Sequence, residues 1–149
     1  MSFPTRAPEP VEEIPDALLR GLSIAPREVY LNEQAYFAVY DSEDQVVAVQ
    51  QDPELIKQLK PYDVSVTAEA EEYDFVSRYF WPANGGLEDP VTGSIHTGLA
   101  PFWSKRLGKS DLKAHQASAR GGDLLCRVDE DRVIILGKAV QYMAGDIEI

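Results

Sequence analysis

Cysteine and histidine are scarce in this chain of 149 residues, which contains one cysteine and two histidines. The lone Cys126 cannot form an intrachain disulfide, and a chain without disulfides is typical of a reducing compartment. Its apolar neighbours in Leu124–Val128 favour the role of a small buried hydrophobic residue over that of a nucleophile. The sequences around His96 and His115 lack the Cys/His spacing of zinc sites, so we expect no metal.

Long apolar runs and basic residues are also in short supply. No stretch reaches the roughly 18 apolar residues of a membrane span, and residues 1–6 lack the apolar region of a signal peptide. The chain has 14 basic and 25 acidic residues, a formal net charge of −11, which repels phosphate backbones and anionic lipid surfaces. We therefore expect no nucleic-acid or membrane partner, and a cytoplasmic location.

Prolines divide the chain into an arm and one globular unit. Pro4, Pro8 and Pro10 lie among charges without a hydrophobic period, which predicts a proline-rich extended arm or inter-domain linker over residues 1–14. Residues 15–149 are sufficient for one hydrophobic core and give no reason to expect a second domain.

Runs of β-branched and aromatic residues predict that much of this unit is sheet. Tyr36–Tyr40 and Gln45–Val49 are expected to form a hairpin. Short helices are expected near residues 15–21 and 52–59, the second capped by Asp52. The other predicted strands are residues 64–67, 73–80, 113–118, 123–128, 132–136 and 139–143. Strand 73–80 is apolar on both faces, which favours a central position in the sheet.

One long helix is expected near Val91–Leu107, with strands before and after it. Ile95–Trp103 is nearly apolar on every side, and such a helix belongs in a protein core. Pro101 predicts a kink because it has no N–H to donate, and Gly108 is placed to end the helix. The predicted fold class is α+β, with a curved mixed β-sheet wrapped around this one central helix.

The segment Glu88–Ser94, just before this helix, carries the most promising chemistry. Asp89 and Pro90 fit the N-cap and first helical position, and Gly93 lets a ligand approach the backbone between the hydroxyls of Thr92 and Ser94. Free backbone N–H groups and the positive end of a helix favour a carboxylate or phosphate there. The spacing alone fits Asp89 as a simple helix cap and as part of a ligand site equally well.

Other chemistries have less support near this segment. His96 lies in an apolar context, which favours a core histidine with satisfied hydrogen bonds over a catalytic one. The residues around Ser94 do not match the G-x-S-x-G turn of serine hydrolases. Arg120-Gly121-Gly122 is interpreted as a turn rather than a ligand contact.

Five motifs occur in order along the chain: Tyr73–Pro82, Glu88–His96, Leu99–Trp103, Leu107–Lys109 and Gln116–Gly122. Together they resemble the phenazine-biosynthesis isomerase family, also called PhzF-like. The resemblance runs from about Phe3, which is similar to the family's inter-domain crossover, to Ile149. It implies the diaminopimelate-epimerase-like fold, in which two similar domains, each a curved sheet around a central helix, enclose the active site. This chain resembles the second, C-terminal domain.

The resemblance also implies an activity. Members are cofactor-independent isomerases or epimerases, and the best-known one moves a proton on a cyclic dihydro-hydroxyanthranilate by general acid–base catalysis. Carried onto this sequence, Asp89 would be the catalytic residue, and Gly93 and Ser94 would hold the carboxylate of a small metabolite. Thr92 is a weaker substrate-binding candidate that, like Glu88, could serve mainly to shape the loop. No cofactor or metal is implied.

The family's principal proton-transferring glutamate belongs to the first domain, and no part of this sequence resembles that domain. The chain is therefore expected to be the C-terminal half of such an isomerase, inactive or weakly active alone. Three explanations of the missing domain remain open: the chain is a fragment, a split subunit, or the product of a gene with a misplaced start. The expected partners are a small carboxylate substrate and either the missing N-terminal domain or a second copy of the chain. The alternative function is a non-catalytic homodimeric module that binds small carboxylates.

Overall fold

The computed structural model describes residues 1–146, so residues 147–149 of the predicted domain lie outside the described part. Its strands are β1 Ser2–Pro4, β2 Glu9–Pro10, β3 Glu28–Leu31, β4 Ala35–Val39, β5 Asp63–Glu69, β6 Phe75–Phe80, β7 Asp111–Gln116, β8 Gly122–Asp129 and β9 Arg132–Gly137. Its α-helices are α1 Asp16–Gly21, α2 Glu43–Ala48, α3 Pro53–Ile56 and α4 His96–Leu107. A large sheet with few helices confirms the predicted α+β class.

The described strands form a single sheet in the order β1-β9-β8-β7-β6-β5-β4-β3-β2. The pairs β4–β5 and β6–β7 are parallel, and the other pairs are antiparallel, so the sheet is mixed as predicted. β6 lies between β5 and β7, which confirms the central position predicted for it. The strands at the two ends of this order, β1 and β2, are joined by only four residues, Thr5–Pro8. Residues 1–14, predicted as an arm or linker, contribute these two short strands to the sheet.

Each face of the sheet carries its own hydrophobic core, because successive side chains along a strand point to opposite faces. On β4, Phe37 belongs to the core that contains α4, and the next residue, Ala38, belongs to the other. The first core joins α4 to β4 and β6–β9, whereas the second joins α1, α2 and α3 to the opposite face. His96 to Ala100 are buried in α4, as expected for a helix in a core.

The predicted ends of two helices are confirmed. Gly108 has a left-handed φ of 67°, and its N–H donates to the Ser104 carbonyl at 2.9 Å, which ends α4. Asp52 caps α3, since its Oδ1 accepts from the amides of Glu54 and Leu55. α4 continues past Pro101 to Leu107, and a kink at Pro101 stays a prediction.

Two predicted strands are wrong. Gln45–Val49 lies mostly in α2, where Ser42 Oγ accepts from the Gln45 amide and Arg78 Nη1 donates to the Val49 carbonyl at 2.7 Å. Residues 139–143 form no strand, because β9 already pairs with β8 on one side and β1 on the other. In both cases a contact from a distant part of the chain outweighs the local pattern. Within residues 1–146, no helix has the length and apolar character that crossing a membrane requires.

The N-terminal segment crosses α4 at Gly98. Arg6 N donates to the Thr97 carbonyl at 2.9 Å, and a Cβ added to Gly98 would lie 2.6 Å from Phe37 Cζ and 3.0 Å from the Arg6 carbonyl oxygen. We expect Gly98→Ala to destabilise the fold by about 1–3 kcal/mol through overpacking, which outweighs the helix propensity of alanine, worth about 1 kcal/mol.

Urea unfolding of Gly98→Ala measures this effect, with Gly137→Ala as the matched control. A Cβ at Gly137 would meet nothing within 4 Å. An unchanged free energy of unfolding in Gly98→Ala would contradict the close packing of Phe37 and the Arg6 carbonyl around Gly98.

Candidate functional site

The predicted site residues lie in an irregular segment between β6 and α4, which we call the site turn (Asp89–Ile95). The predicted helix start is wrong, because α4 begins at His96 with Ile95 at the N-cap position. Asp89 is therefore not a helix cap. Its N–H donates to the Tyr79 carbonyl at 3.0 Å, and Glu88 pairs with Phe80, so the chain runs beside β6 before it turns. Backbone pairing with a strand replaces the capping geometry that the local sequence suggests.

One oxygen of the half-buried Asp89 carboxylate is held in place, and the other is left available. Thr92 Oγ1 donates to Asp89 Oδ2 at 2.5 Å. The buried Gln116 donates through Nε2 to the Asp89 carbonyl at 2.7 Å and accepts through Oε1 from Thr92 N at 2.8 Å. Among residues 1–146, Asp89 Oδ1 has no hydrogen-bond partner. The arrangement fixes the carboxylate while leaving one oxygen able to meet a ligand.

The Glu88 carboxylate differs from that of Asp89, because Arg78 donates to both of its oxygens. Arg78 Nε donates to Oε1 at 2.8 Å and Nη2 donates to Oε2 at 3.0 Å. The same guanidinium donates to the carbonyls of Val46 and Val47 on α2 and to that of Val49, which follows the helix. With both oxygens occupied by a bidentate partner, Glu88 is suited to holding the loop against α2 and β6.

Three successive backbone amides, those of Gly93, Ser94 and Ile95, donate to no acceptor in the described part of the chain. A Cβ at Gly93 would have only Met1 Cε within 4 Å, at 3.9 Å, so a ligand can approach this backbone. The φ of Gly93 is not positive, so its conformation does not itself require glycine. Open amides at the start of a helix are suited to an anionic oxygen.

Ser94 is exposed, and its hydroxyl accepts from Gln34 Nε2 at 2.9 Å. Gln34 Nε2 also donates to Tyr79 Oη at 2.9 Å, and Tyr79 donates to the buried Asp63 at 2.5 Å. Ser94, Gln34, Tyr79 and Asp63 therefore form one continuous hydrogen-bonded series that ends at the site turn.

His96 is fully buried, which confirms its predicted place in the core, but its hydrogen bonds are only half satisfied. Nδ1 lies 2.8 Å from the Thr92 carbonyl, whereas Nε2 has no partner among the described residues. Nδ1 carries the proton, because a carbonyl can only accept. Burial lowers the pKa of His96 to about 4, so the ring is neutral near pH 7.

Two other predictions lie outside the site turn. Cys126 is 2% exposed, and burial raises the pKa of its thiol to about 12, which agrees with a structural role. Gly121 has a left-handed φ of 68°, and its N–H donates to Ser118 Oγ at 3.1 Å, so the chain turns at Arg120-Gly121 and Gly122 begins β8.

The site turn lies at the surface, where Val91 borders a groove beside residues 120–124. Two other grooves lie elsewhere on the described molecule. One is between α3 and residues 82–87 and includes Lys57 and Lys60, and another lies over β7–β9. Neither includes a predicted site residue. We give the site turn priority because its open amides, free carboxylate oxygen and exposed hydroxyl lie together, whereas a groove by itself supplies no chemistry.

Sequence reasoning missed the residues that support the site turn from a distance: Gln34, Asp63, Tyr79 and Gln116. Gln116 begins one of the five motifs, so the family resemblance marked its position, although no role was assigned to it. Gln34 is separated from Ser94 by 60 residues. No local pattern could have placed it there.

The comparisons with known proteins agree with one another. The sequence profile of the family described as phenazine biosynthesis-like protein matches residues 1–145. The chain is 48% identical over 149 residues to an uncharacterized isomerase of Pseudomonas aeruginosa, covering 100% of this chain and 57% of that protein. It is 38% identical to an uncharacterized isomerase of Halalkalibacterium halodurans, covering 99% of this chain and 56% of that protein.

A solved structure shows the same fold. A PhzF-family phenazine biosynthesis protein from Enterococcus faecalis matches with a TM-score of 0.90 and 39% identity, covering 100% of this chain and 57% of that one. This chain therefore spans a little over half the length of the relatives it matches. With its profile match, its relatives and its fold in agreement, the chain belongs to the phenazine biosynthesis-like (PhzF) family.

Proposed function

We propose that the site turn is one half of the acid–base site of a cofactor-independent isomerase or epimerase that acts on a small carboxylate-bearing metabolite. Asp89 is the catalytic carboxylate, and Gly93 and Ser94, with Thr92 beside them, bind the carboxylate of the substrate. The observation that carries the proposal is the row of unpaired amides at Gly93–Ile95 next to a carboxylate with one free oxygen.

The chemistry follows from these two groups. Amide donors bind the substrate carboxylate, and they also stabilise negative charge that develops on it when a neighbouring C–H loses its proton. A carboxylate beside the bound substrate can accept that proton or deliver one to another position, which is general acid–base catalysis. The proton is returned to the substrate, so the overall reaction is an isomerisation and consumes no cofactor.

The exposed Ser94 and the half-buried Asp89 and Gly93 support a second unit that covers the site turn. We infer that this unit, either a first domain like the remainder of the relatives or a second copy of this chain, supplies the opposite wall and a second acid–base group. Acid–base chemistry on carbon proceeds better when water is excluded. A cytoplasmic location belongs to the same proposal and is supported by the single buried cysteine.

We also infer that the sheet curves around α4, as the family fold implies. Nine flat strands would place β1 and β2 about 38 Å apart at about 4.8 Å per strand. The five residue steps from Pro4 to Glu9 can span at most about 18 Å. This short connection, together with the Arg6–Thr97 hydrogen bond, supports a sheet that bends around the helix.

Reconstitution tests the isomerase proposal. The chain is mixed with the first-domain segment of the 48% identical Pseudomonas aeruginosa relative, and solvent deuterium incorporation into a panel of small carboxylates is followed by NMR. We expect incorporation into at least one carboxylate by the mixture, and little or none by either part alone. Binding of the two parts without any exchange, across a panel that the intact relative does exchange, would contradict the proposal.

A homodimeric carboxylate-binding module is the second candidate. Leu125 and Leu136 are paired across β8 and β9 on the face away from α4, and they are 56% and 52% exposed. Adjacent exposed leucines on a strand pair favour self-association. Sedimentation at micromolar concentration, combined with the exchange assay, separates the candidates. A monomer that exchanges deuterium only after reconstitution supports the isomerase, and a dimer that binds carboxylates without exchange supports the binding module.

A further inference from the structure

Gln34 contacts the site turn through its side chain, while its backbone is anchored separately. Its Nε2 donates to Ser94 Oγ and to Tyr79 Oη, both at 2.9 Å. Its backbone N–H donates to Asn32 Oδ1 at 2.8 Å, and its carbonyl accepts from Asp63 N at 3.1 Å. The side chain can therefore be replaced without releasing the backbone from its neighbours.

The direction of this series of hydrogen bonds is set by a buried carboxylate. Asp63 is 7% exposed and accepts from Tyr79 Oη at 2.5 Å and from Asn84 Nδ2 at 2.8 Å. Since the Tyr79 hydrogen is donated to Asp63, the Tyr79 oxygen is left to accept. The group of Gln34 that faces Tyr79 must then be the NH₂ and not the carbonyl oxygen, which settles the orientation of the amide.

The tyrosine is held in its protonated form. Tyr79 is 4% exposed, and burial, followed by the hydrogen bond to Asp63, raises the pKa of Tyr79 above its ordinary value. The hydroxyl therefore remains a donor to Asp63 throughout the physiological pH range, and the orientation of Gln34 does not change with pH.

The second N–H of Gln34 donates to Ser94 and so sets the hydrogen-bonding role of the Ser94 hydroxyl. Ser94 Oγ accepts from Gln34, so its own hydrogen remains for another partner. Within residues 1–146 that hydroxyl donates to nothing. It lies on the same residue as one of the three unpaired amides, so the Ser94 hydroxyl and these amides can donate together to one ligand.

We propose that Gln34 is a positioning residue that sets the Ser94 hydroxyl as a donor to the ligand carboxylate, with Asp63 and Tyr79 fixing the orientation of Gln34. The inference rests on the proposed function, because it requires an anion at the site turn. A carboxylate, which only accepts, matches the Ser94 hydroxyl hydrogen and the unpaired amides beside it.

A double-mutant cycle tests the positioning role. The dissociation constant of benzoate, used as the probe carboxylate, is measured by NMR titration for the 149-residue chain, Gln34→Met, Ser94→Ala and the double variant. We expect each single substitution to weaken binding about 3- to 10-fold, the range of one hydrogen bond. The double variant should bind as weakly as Ser94→Ala, within about 2-fold, since Gln34 acts through Ser94.

Two further variants sharpen the result. Gln34→Glu has nearly the same shape but places an acceptor where the donor was, and it should weaken benzoate binding at least as much as Gln34→Met. Gln58→Met is the matched control, because Gln58 Nε2 donates to the Glu54 carbonyl on α3, away from the site turn. It should bind benzoate like the unaltered chain.

The outcomes separate the two proposals. Two outcomes overturn the positioning role and leave the proposed function standing. In the first, Gln34→Met binds benzoate as well as the unaltered chain does. In the second, the fold losses of affinity in Gln34→Met and Ser94→Ala multiply in the double variant. If the unaltered chain does not bind benzoate, both proposals are overturned.

Discussion

Asp89→Asn is expected to reduce turnover of the reconstituted enzyme by about 10²- to 10⁴-fold, the usual contribution of a general acid–base group. Asparagine keeps the shape of the side chain and an oxygen that can accept from Thr92 Oγ1, so the site turn should keep its conformation. It cannot exchange a proton with the substrate. The measurement is the rate of solvent deuterium incorporation into the carboxylate that the unaltered pair of parts exchanges.

Asp41→Asn is the control for this substitution. Asp41 is an exposed carboxylate paired with Arg27, and its removal changes the net charge by the same amount. It should leave the exchange rate within about 2-fold, the effect expected of an exposed ion pair. Full deuterium-exchange activity in Asp89→Asn would show that Asp89 is not a catalytic residue.

The second large effect is expected in the pH dependence of stability, and it comes from His96. Its pKa is lowered by burial to about 4 from the ordinary value of 6.5. Between these values the unfolded chain binds a proton that the folded chain does not bind, so acid favours unfolding. The free energy of unfolding should therefore fall by about 2 kcal/mol between pH 6.5 and pH 4.5 on account of this one group.

Substitution identifies the group responsible for the decline. His96→Asn keeps an N–H that can donate to the Thr92 carbonyl but cannot titrate, so its free energy of unfolding should be nearly flat across this window. His115→Asn removes a half-exposed imidazole on β7 and should keep the decline. The pH window from 4.5 to 6.5 lies above the pH range in which Glu28 affects stability, because its pKa is lowered to about 2, chiefly by Arg106. An unchanged decline in His96→Asn would contradict the assignment.

The sequence indicated those parts of the fold whose residues carry a strong local pattern. The apolar stretch of α4, the central position of β6 and the cap at Asp52 follow from periodicity, composition and capping chemistry, and all three are present. The strand predicted at Gln45–Val49 failed because β-branched valines also fit a helix whose carbonyls are capped by Arg78. That arginine lies on β6, 29 residues after Val49, beyond the reach of any local pattern.

The sequence predicted where the candidate site lies, but not the contacts that hold its residues in place. Asp89, Thr92, Gly93 and Ser94 lie together in one turn, as their adjacency in sequence requires. The capping interpretation of Asp89 failed because its N–H pairs with Tyr79 on β6. The orientation of Asp89 and Ser94 depends on Gln116 and Gln34, and only the folded chain brings those glutamines to the turn.

The most direct test of a carboxylate site at the site turn is an NMR titration of the unaltered chain with benzoate, in which every assigned backbone amide is followed. We predict saturable shifts concentrated at Gly93, Ser94 and Ile95, where the amides are unpaired. Shifts confined to the groove lined by Lys57 and Lys60, with the signals of the site turn unmoved, would contradict it.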